Sequence, residues 1–461
     1  MLQGNIPRFP WTNDRALHPK LACGLTGNIV RPGSTETPLQ HQPVRSGGQL
    51  LPTTHMTGAC AQIFLNHGGA QSPWAASLAM IGPPGPYLSL LDDVRGIAMS
   101  SSKLPPAKVV RAIEFARHHL ERLHRRMVPP HVAMMEMIVE AWAAQAITSA
   151  SDLRIADALA KGPLSAEELA IAVNADADAV SRLLRALVGR GIFRQRRDGR
   201  YDLTPLADTL RSDAEVSLAG MARWVGSPQH REHWSRLTQA VRTGRPVVPE
   251  LRGKPAFDYL ADEPELAEIF NRAMTSTSEL SIAPVIAAYD FSSYGTIVDV
   301  AGGHGRLLAA ILAATPAARG VLFDLPQVVT GAPEVLRENH VADRVRVEEG
   351  SFFDEDIPDG GDAYVLKNII HDWSDDDAVR ILRNVRTAAG AGKKVLLVEF
   401  VIPPHDREFT GKWVDLEMLV VVPGRERTAT EYGQLLDRAG FHMTRVVETA
   451  SPYSLVEATA V

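Results

Sequence analysis

The chain has 461 residues, 45% of them hydrophobic and 22% charged, and carries a formal net charge of −6. That length accommodates two or three domains with a large core, and the composition is that of a globular enzyme rather than a fibrous or disordered chain. The acidic balance counts against a nucleic-acid partner, which needs a basic face.

No apolar run approaches the length of a membrane span, and no charged segment precedes a short apolar one as in a secretory leader. The two cysteines, Cys23 and Cys60, suggest neither a disulfide framework nor a zinc site. The expected location is the cytoplasm.

Residues 1–102 do not read as a domain. Segments such as Arg31-Pro-Gly-Ser-Thr-Glu-Thr-Pro38 and Ile81-Gly-Pro-Pro-Gly-Pro86 are rich in turn residues, and the apolar residues keep no period. Either this is a disordered extension or the true start lies downstream, for instance at Met99.

Helical patterning begins at Ala107 and runs to Arg126, and Pro129-Pro130 interrupts it. From His131 to Thr148 follows a helix apolar on much of its circumference, with Met134, Met135, Met137, Ile138 and Trp142. Such a helix is buried in a core or against a partner chain, and a homodimer seam is expected here. Between Asp152 and Ser212 the order is helix, helix, helix, hairpin. Ser165-Ala-Glu-Glu168 is a capping box, and Asp198-Gly199 turns a two-stranded wing. This winged-helix pattern puts Arg182, Arg185 and Arg190 on the would-be recognition helix. The acidic chain favours a structural, dimerising role over DNA binding. Residues 216–290 read as a helical bridge, broken at Thr243-Gly-Arg-Pro-Val-Val-Pro249, that walls a pocket.

From Thr296 strands and helices alternate, as in a doubly wound parallel sheet. Strands are expected at Thr296–Val300, Gly320–Asp324, Arg344–Glu348, Asp362–Leu366 and Lys393–Glu399, closed by an antiparallel pair near Phe441–Thr449 and Tyr453–Ala458. Ligands bind such sheets at the carboxyl ends of the strands. After the first strand comes a glycine-rich turn, Ala301 to Gly305, that lets backbone approach a ligand. A dinucleotide fingerprint needs a third glycine, but Gly303-His-Gly305 is followed by Arg306, Leu307 and Leu308. NAD is therefore disfavoured. Asp324, ending the second strand, can accept both hydroxyls of a ribose. His371 follows the fourth strand, where a base would sit in the cleft, and Glu399 and Glu426 could converge on it.

From about Lys103 onward the chain resembles the S-adenosylmethionine-dependent O-methyltransferases typified by plant caffeate and flavonoid enzymes. It is more similar to bacterial members acting on hydroxyneurosporene and aromatic polyketides. The motifs that carry the likeness are Val298-Asp-Val-Ala-Gly-Gly-His-Gly305, Phe323-Asp-Leu-Pro326, Lys367, His371-Asp-Trp-Ser374, Glu399 and Arg425-Glu-Arg-Thr428. The resemblance implies a Rossmann-like α/β catalytic domain behind a mostly helical winged-helix dimerisation domain. It implies His371 as general base, oriented by Glu399 and Glu426. Asp324 would bind the ribose, Ala301, Gly303 and Gly305 would cradle the methionine portion, and Lys367, Ser351, Phe352 and Trp373 would line the rest of the cofactor site. Phe270, Met274 and Met418 would hold the acceptor, a small molecule with a phenolic or enolic hydroxyl. No metal is implied.

This sequence departs from the family pattern twice. Ala301 stands where the turn usually begins with glycine, and Ser351 where an acid usually follows Gly350. The expected division is an extension over 1–102, the winged helix over 103–215, a helical wall over 216–290 and the catalytic domain over 291–461. The rival reading is a winged-helix regulator binding a small molecule in a retired methyltransferase pocket.

Overall fold

The computed structural model describes residues 104–354 and 357–461. The expected extension over 1–102 lies outside the described residues.

Helix α1 (Ala107–Arg126) follows Pro106, and α2 (Pro130–Asp152) starts on Pro130, whose missing N–H costs nothing at a helix start. Neither of the two is buried along most of its length. In α1 no residue is buried, and in α2 only Thr148, Ala150 and Ser151 are. Trp142 is 75% exposed, and Met134, Met135, Met137 and Ile138 are exposed with it. The apolar helix expected from the sequence is therefore not a core helix of this chain.

The winged helix follows. It comprises α3 (Ile155–Leu159), α4 (Ala166–Val173) and α5 (Ala177–Gly189), then β1 (Phe193–Gln195) paired antiparallel with β2 (Tyr201–Leu203). The Ser165 capping box forms as expected: Ser165 Oγ accepts from the Glu168 N–H, and the Glu168 carboxylate accepts from the Ser165 N–H at 2.8 Å. Ile155, Leu159, Leu169, Leu184, Leu187 and Phe193 make one apolar core. On α5, Arg182 lies 4.0 Å from Asp178, and just past its end Arg190 lies 2.7 Å from Glu140 on α2.

A wall of short helices comes next: α6 (Pro205–Asp208), α7 (Ala219–Gly226), α8 (Pro228–Ser235), α9 (Leu237–Thr243), α10 (Val248–Arg252) and α11 (Ala256–Ala261). Gly244 and Gly253 end α9 and α10 in the left-handed region, at φ 64° and 76°. The long α12 (Pro264–Ala288) closes the wall.

The C-terminal part is built on β3 (Thr296–Val300), α13 (Arg306–Ala314), β4 (Arg319–Asp324), α14 (Pro326–Val329), α15 (Ala332–Glu338), β5 (Val345–Glu349), β6 (Ala363–Lys367), α16 (Asp375–Ala389), β7 (Lys394–Ile402), α17 (Thr410–Val421), β8 (Arg427–Thr428), α18 (Ala429–Arg438), β9 (Phe441–Glu448) and β10 (Tyr453–Ala460). Strand order is β5-β4-β3-β6-β7-β10-β9, and β8 pairs with the far end of β7. The strands from β5 to β7 run parallel, and β10 and β9 are antiparallel. One face packs on α16 and α18 through Val379, Leu382, Leu435 and Leu436. The other packs on α13, α15 and the end of α12 through Leu308, Leu312, Leu336 and Val285. The chain order reverses between β3 and β6, which opens the ligand crevice at their carboxyl ends.

Of the expected strands only Thr296–Val300 keeps its bounds, and two of the shifts have a clear cause. Arg344 ends a short 3-10 turn instead of opening β5, because its guanidinium binds the carbonyls of Leu312, Thr315 and Ala318 at 3.0–3.3 Å. Strand β7 continues past Glu399 to Ile402, because β10 and β8 keep pairing with it there.

Candidate active site

The turn after β3 is set by its backbone. Ala301 has φ 55°, Gly303 62° and Gly305 77°. The left-handed region costs a residue with a β-carbon about 1–2 kcal/mol, so Ala301 holds a strained conformation that glycine would adopt freely. Gly302 needs its missing β-carbon for space, since one there would stand 2.5 Å from the Asp299 carboxyl. Gly303 has open space at the same position, and its N–H donates to Asp324 Oδ2 at 2.8 Å. Asp324 Oδ1 accepts from the Leu325 N–H at 2.7 Å. Burial pushes the Asp324 carboxyl up, against the pull of those two N–H groups.

Beneath the turn, Asp299 is buried, and its Oδ2 has no partner among the described residues. Burial and then Asp324 raise its carboxyl to about 7. Lys367, at the end of β6, donates to Ser278 Oγ on α12 at 2.9 Å, and its ammonium lies 5.6 Å from the centre of the Tyr453 ring. Burial brings this lysine down to about 8. After β5, a β-carbon on Gly350 would strike the Phe323 ring, and Ser351 Oγ turns inward to accept from the Phe353 N–H at 3.2 Å. Phe352 and Phe353 meet Trp373 edge-on, at 5.8 and 4.6 Å between ring centres. A ligand with a diol, an aromatic base and a charged tail fits these residues. Asp324 has lone pairs free beside the open space at Gly303, Phe352 and Trp373 supply an apolar edge, and Asp299 leaves an oxygen to be satisfied.

The turn after β6 carries the histidine. Asn368 takes φ 54° and donates to Tyr453 Oη at 3.1 Å, and Ile370–Asp372 form one 3-10 turn. His371 is 7% exposed. Its Nδ1 lies 2.6 Å from Glu426 Oε1 and 4.0 Å from Glu399 Oε2, and its Nε2 lies 3.5 Å from Asp372 Oδ1. A fully buried Glu399 accepts the N–H groups of Ile369 and Ile370 at 3.2 and 2.9 Å, so it holds the turn as well as facing the ring. Burial lowers the His371 affinity for a proton, but Asp372, Glu426 and Glu399 outweigh it and push the ring up to about 10. Burial raises Glu399 to about 7, against the opposing pull of the His371 charge, and raises Glu426 in the same way. The arrangement can hold one proton on Nδ1 against Glu426 and accept another at Nε2. His371, Glu399 and Glu426 also present ligand atoms within 4.8 Å of one another, so they could bridge a cation if Nδ1 gave up its proton.

His371, Glu399 and Glu426 lie together, with Glu399 inside β7 and not at the strand end where the sequence pattern puts it. Asp372, Gly424 and Arg427 also meet at this turn, with no part in the sequence expectation. Arg427 is 1% exposed, and binds Asp375 at 2.7 Å and the carbonyls of Ile370 and Trp373 at 3.0 and 3.1 Å. It thereby clamps the start of β8, directly after Glu426, to the histidine turn. Its place in Arg425-Glu-Arg-Thr428 was visible, but its partners were not. The residues expected to hold the acceptor fall into two groups. Phe270 and Met274 pack with Trp224, Leu260 and Leu266, while Met418 packs with Val248, Ala256 and Val422.

Comparisons with known proteins agree with this geometry. A family model described as an O-methyltransferase domain matches residues 234–442, and one described as an O-methyltransferase dimerisation domain matches 135–213. The chain is 40% identical to a phenazine O-methyltransferase from Lysobacter antibioticus, over 72% of this chain and 96% of that one. It is 38% identical to the mitomycin biosynthesis 6-O-methyltransferase of Streptomyces lavendulae, over 70% of this chain and 92% of that one. Among solved structures it is similar to an O-methyltransferase from neocarzinostatin biosynthesis in complex with S-adenosylmethionine and 2-hydroxy-5-methyl naphthoic acid. That match has a TM-score of 0.59 at 35% identity, and covers 69% of this chain and 96% of that one. These enzymes disfavour the regulator reading. The matched residues, 135–213 and 234–442, take in the winged helix and most of the sheet, and one similar structure holds the methyl donor, so the chain belongs to the S-adenosylmethionine-dependent O-methyltransferases.

Proposed function

We propose that this enzyme methylates a phenolic or enolic hydroxyl of a small-molecule secondary metabolite, with His371 as general base. The observation that carries the reading is the 2.6 Å contact between His371 Nδ1 and Glu426, which fixes the tautomer and leaves Nε2 as the proton acceptor. A phenol has a pKa of about 10 and an unperturbed histidine about 6.5, a gap a positioned base can bridge in a desolvated site. An aliphatic alcohol is a far harder demand. The sulfonium, when bound, supplies the methyl group and a positive charge. Beside that charge the imidazolium is disfavoured, so the ring is readied to take a proton. Glu399 and Glu426 hold the ring in place.

In the same reading Asp324 binds the ribose. Ala301, Gly303 and Gly305 hold the amino-acid tail, with Lys367 below them. Ser351, Phe352 and Trp373 border the adenine. Phe270, Met274 and Met418 line the acceptor chamber. Relatives are named for phenazine, mitomycin and puromycin, which supports an acceptor of ring-bearing, antibiotic-like type.

The enzyme would act as a homodimer through α1 and α2, whose large apolar side chains are exposed on the single chain; contiguous apolar surface of that kind marks an interface. The functional division would be 103–215 for dimerisation, 216–290 for the acceptor wall and 291–461 for catalysis. Among the described residues no helix is long and apolar enough to cross a membrane.

The test is transfer of a deuterated methyl group from S-adenosylmethionine to a panel of phenols, enols and aliphatic alcohols, read by mass spectrometry. His371→Ala should abolish turnover on every acceptor while cofactor binding, read by calorimetry, stays within a factor of about two. Wild-type turnover in that variant would remove His371 from the chemistry.

A further inference from the structure

Helix α8 carries two buried histidines, His230 and His233, three residues apart and so on one helix face. His230 is fully partnered. Its Nδ1 lies 3.1 Å from the Val225 carbonyl, and its Nε2 lies 3.0 and 3.1 Å from the two carboxylate oxygens of Glu417 on α17. Glu417 also takes the indole N–H of Trp234. This group explains itself as a lock between α8 and α17.

His233 does not. The Arg252 Nε donates to its Nε2 at 3.2 Å. A guanidinium has no acceptor, so Nε2 must be the lone-pair nitrogen and the proton of the neutral ring must sit on Nδ1. That Nδ1 has no hydrogen-bond partner among the described residues, although the residue is 3% exposed. Burial, and then the Arg252 charge, hold the ring down at about 4, so it stays neutral and its tautomer is set. A buried donor without an acceptor is costly, and native structures retain few of them.

The surroundings place His233 between the two apolar clusters that the proposed function reads as the acceptor wall. The Tyr259 ring meets His233 edge-on at 6.3 Å and packs with the cluster that holds Phe270 and Met274. Helix α10, which carries Arg252, contributes Val248 to the cluster that holds Met418. His233 is thus flanked by elements of both apolar groups.

We infer that His233 is a specificity-determining residue whose Nδ1–H hydrogen-bonds a carboxylate or carbonyl oxygen carried by the methyl acceptor. The inference rests on the reading of Phe270, Met274 and Met418 as the acceptor wall. Arg252, itself paired with Glu232, adds positive charge beside the donor and favours an oxygen that bears negative charge.

The experiment compares 3-hydroxy-2-naphthoate with 2-naphthol, which lacks only the carboxylate. Each is titrated calorimetrically into the full chain, with and without saturating S-adenosylhomocysteine. Wild type should bind the naphthoate at least tenfold more tightly, His233→Leu should erase that preference, and His233→Gln, which keeps an N–H donor, should retain part of it. A wild type that does not separate the two compounds, whether it binds both or neither, overturns the inference. So does a preference that survives in His233→Leu. S-adenosylhomocysteine alone should bind all three proteins equally. If it fails to bind even wild type, the catalytic reading is at fault, and the naphthoate comparison made without it still decides the role of His233. If only His233→Leu loses it, that substitution has disturbed the fold, and the His233→Gln comparison decides.

Discussion

Gly424 lies so close to His371 that a β-carbon at position 424 would stand 1.8 Å from the His371 carbonyl oxygen. The glycine therefore sets how near the segment carrying Glu426 can approach the histidine turn. Gly424→Ala must push the two apart. A displacement of about 1 Å can cost about a hundredfold in rate. The expected result is a fall of that order in kcat with S-adenosylmethionine affinity little changed, measured by steady-state kinetics and calorimetry on one preparation. Unchanged kcat would mean that the segment relaxes without moving Glu426.

The protonation of the site gives a pH dependence with a definite sign. His371 is raised from 6.5 to about 10 and Glu399 from 4.5 to about 7 in the folded chain. Both therefore bind more protons folded than unfolded. Their contribution to stability is fully present below pH 4.5 for Glu399 and below 6.5 for His371, and is lost as pH rises through about 7 and about 10. Without cofactor, this site should make the protein less stable as pH rises across that window. His371→Gln should flatten the His371 part of the slope in urea titrations at stepped pH. A slope equal to that of wild type across the upper half of the window would refute the assignment.

Turnover has the opposite sign, because only the neutral ring can accept the acceptor's proton. The rate should climb with pH. Glu426→Gln removes a carboxylate that raises His371, so the rising limb of the rate–pH profile should move to lower pH. The plateau should fall by about 10²-fold as the ring loses its oriented partner. A limb that stays where it is in Glu426→Gln would show that another group controls the rate.

The strain at Ala301 is testable by stability alone. Its φ of 55° suits glycine. Ala301→Gly relieves about 1–2 kcal/mol of strain but gives back about 0.4–1 kcal/mol through the freer unfolded chain. The net expectation is a change of between about 0 and about 1.6 kcal/mol toward greater stability. Ala301→Val, β-branched at the same φ, should cost more than about 2 kcal/mol. Chemical denaturation of the three proteins orders them, and a valine variant as stable as the alanine would contradict the backbone geometry.

The exposed face of α2 predicts assembly. Trp142→Asp sets a charge on a surface that a partner copy would bury, and should shift dimer to monomer in sedimentation at micromolar concentration. Far-UV circular dichroism should not change, because the side chain packs on little of its own chain. A dimer of undiminished strength would move the interface elsewhere.

Local signals in the amino-acid order determined the elements and their sequence. The Ser165–Glu168 capping box is satisfied within one helical turn, and the β-branched run from Thr296 to Val300 makes a buried strand wherever it is paired. The glycine turn, Asp324 and the histidine after β6 were legible for the same reason, since each lies at the end of its strand or in the turn that leaves it. Tertiary structure alone decided how far Glu399 sits inside β7, because strand length there depends on pairing with β10 and β8. It also decided that Asp372 faces the imidazole, that Arg427 clamps two loops, and that Arg252 selects the tautomer of His233. Those facts depend on side chains that meet across long separations in the chain. No periodicity records such meetings, because the sequence pattern reports which face is apolar and not which distant group will lie against it.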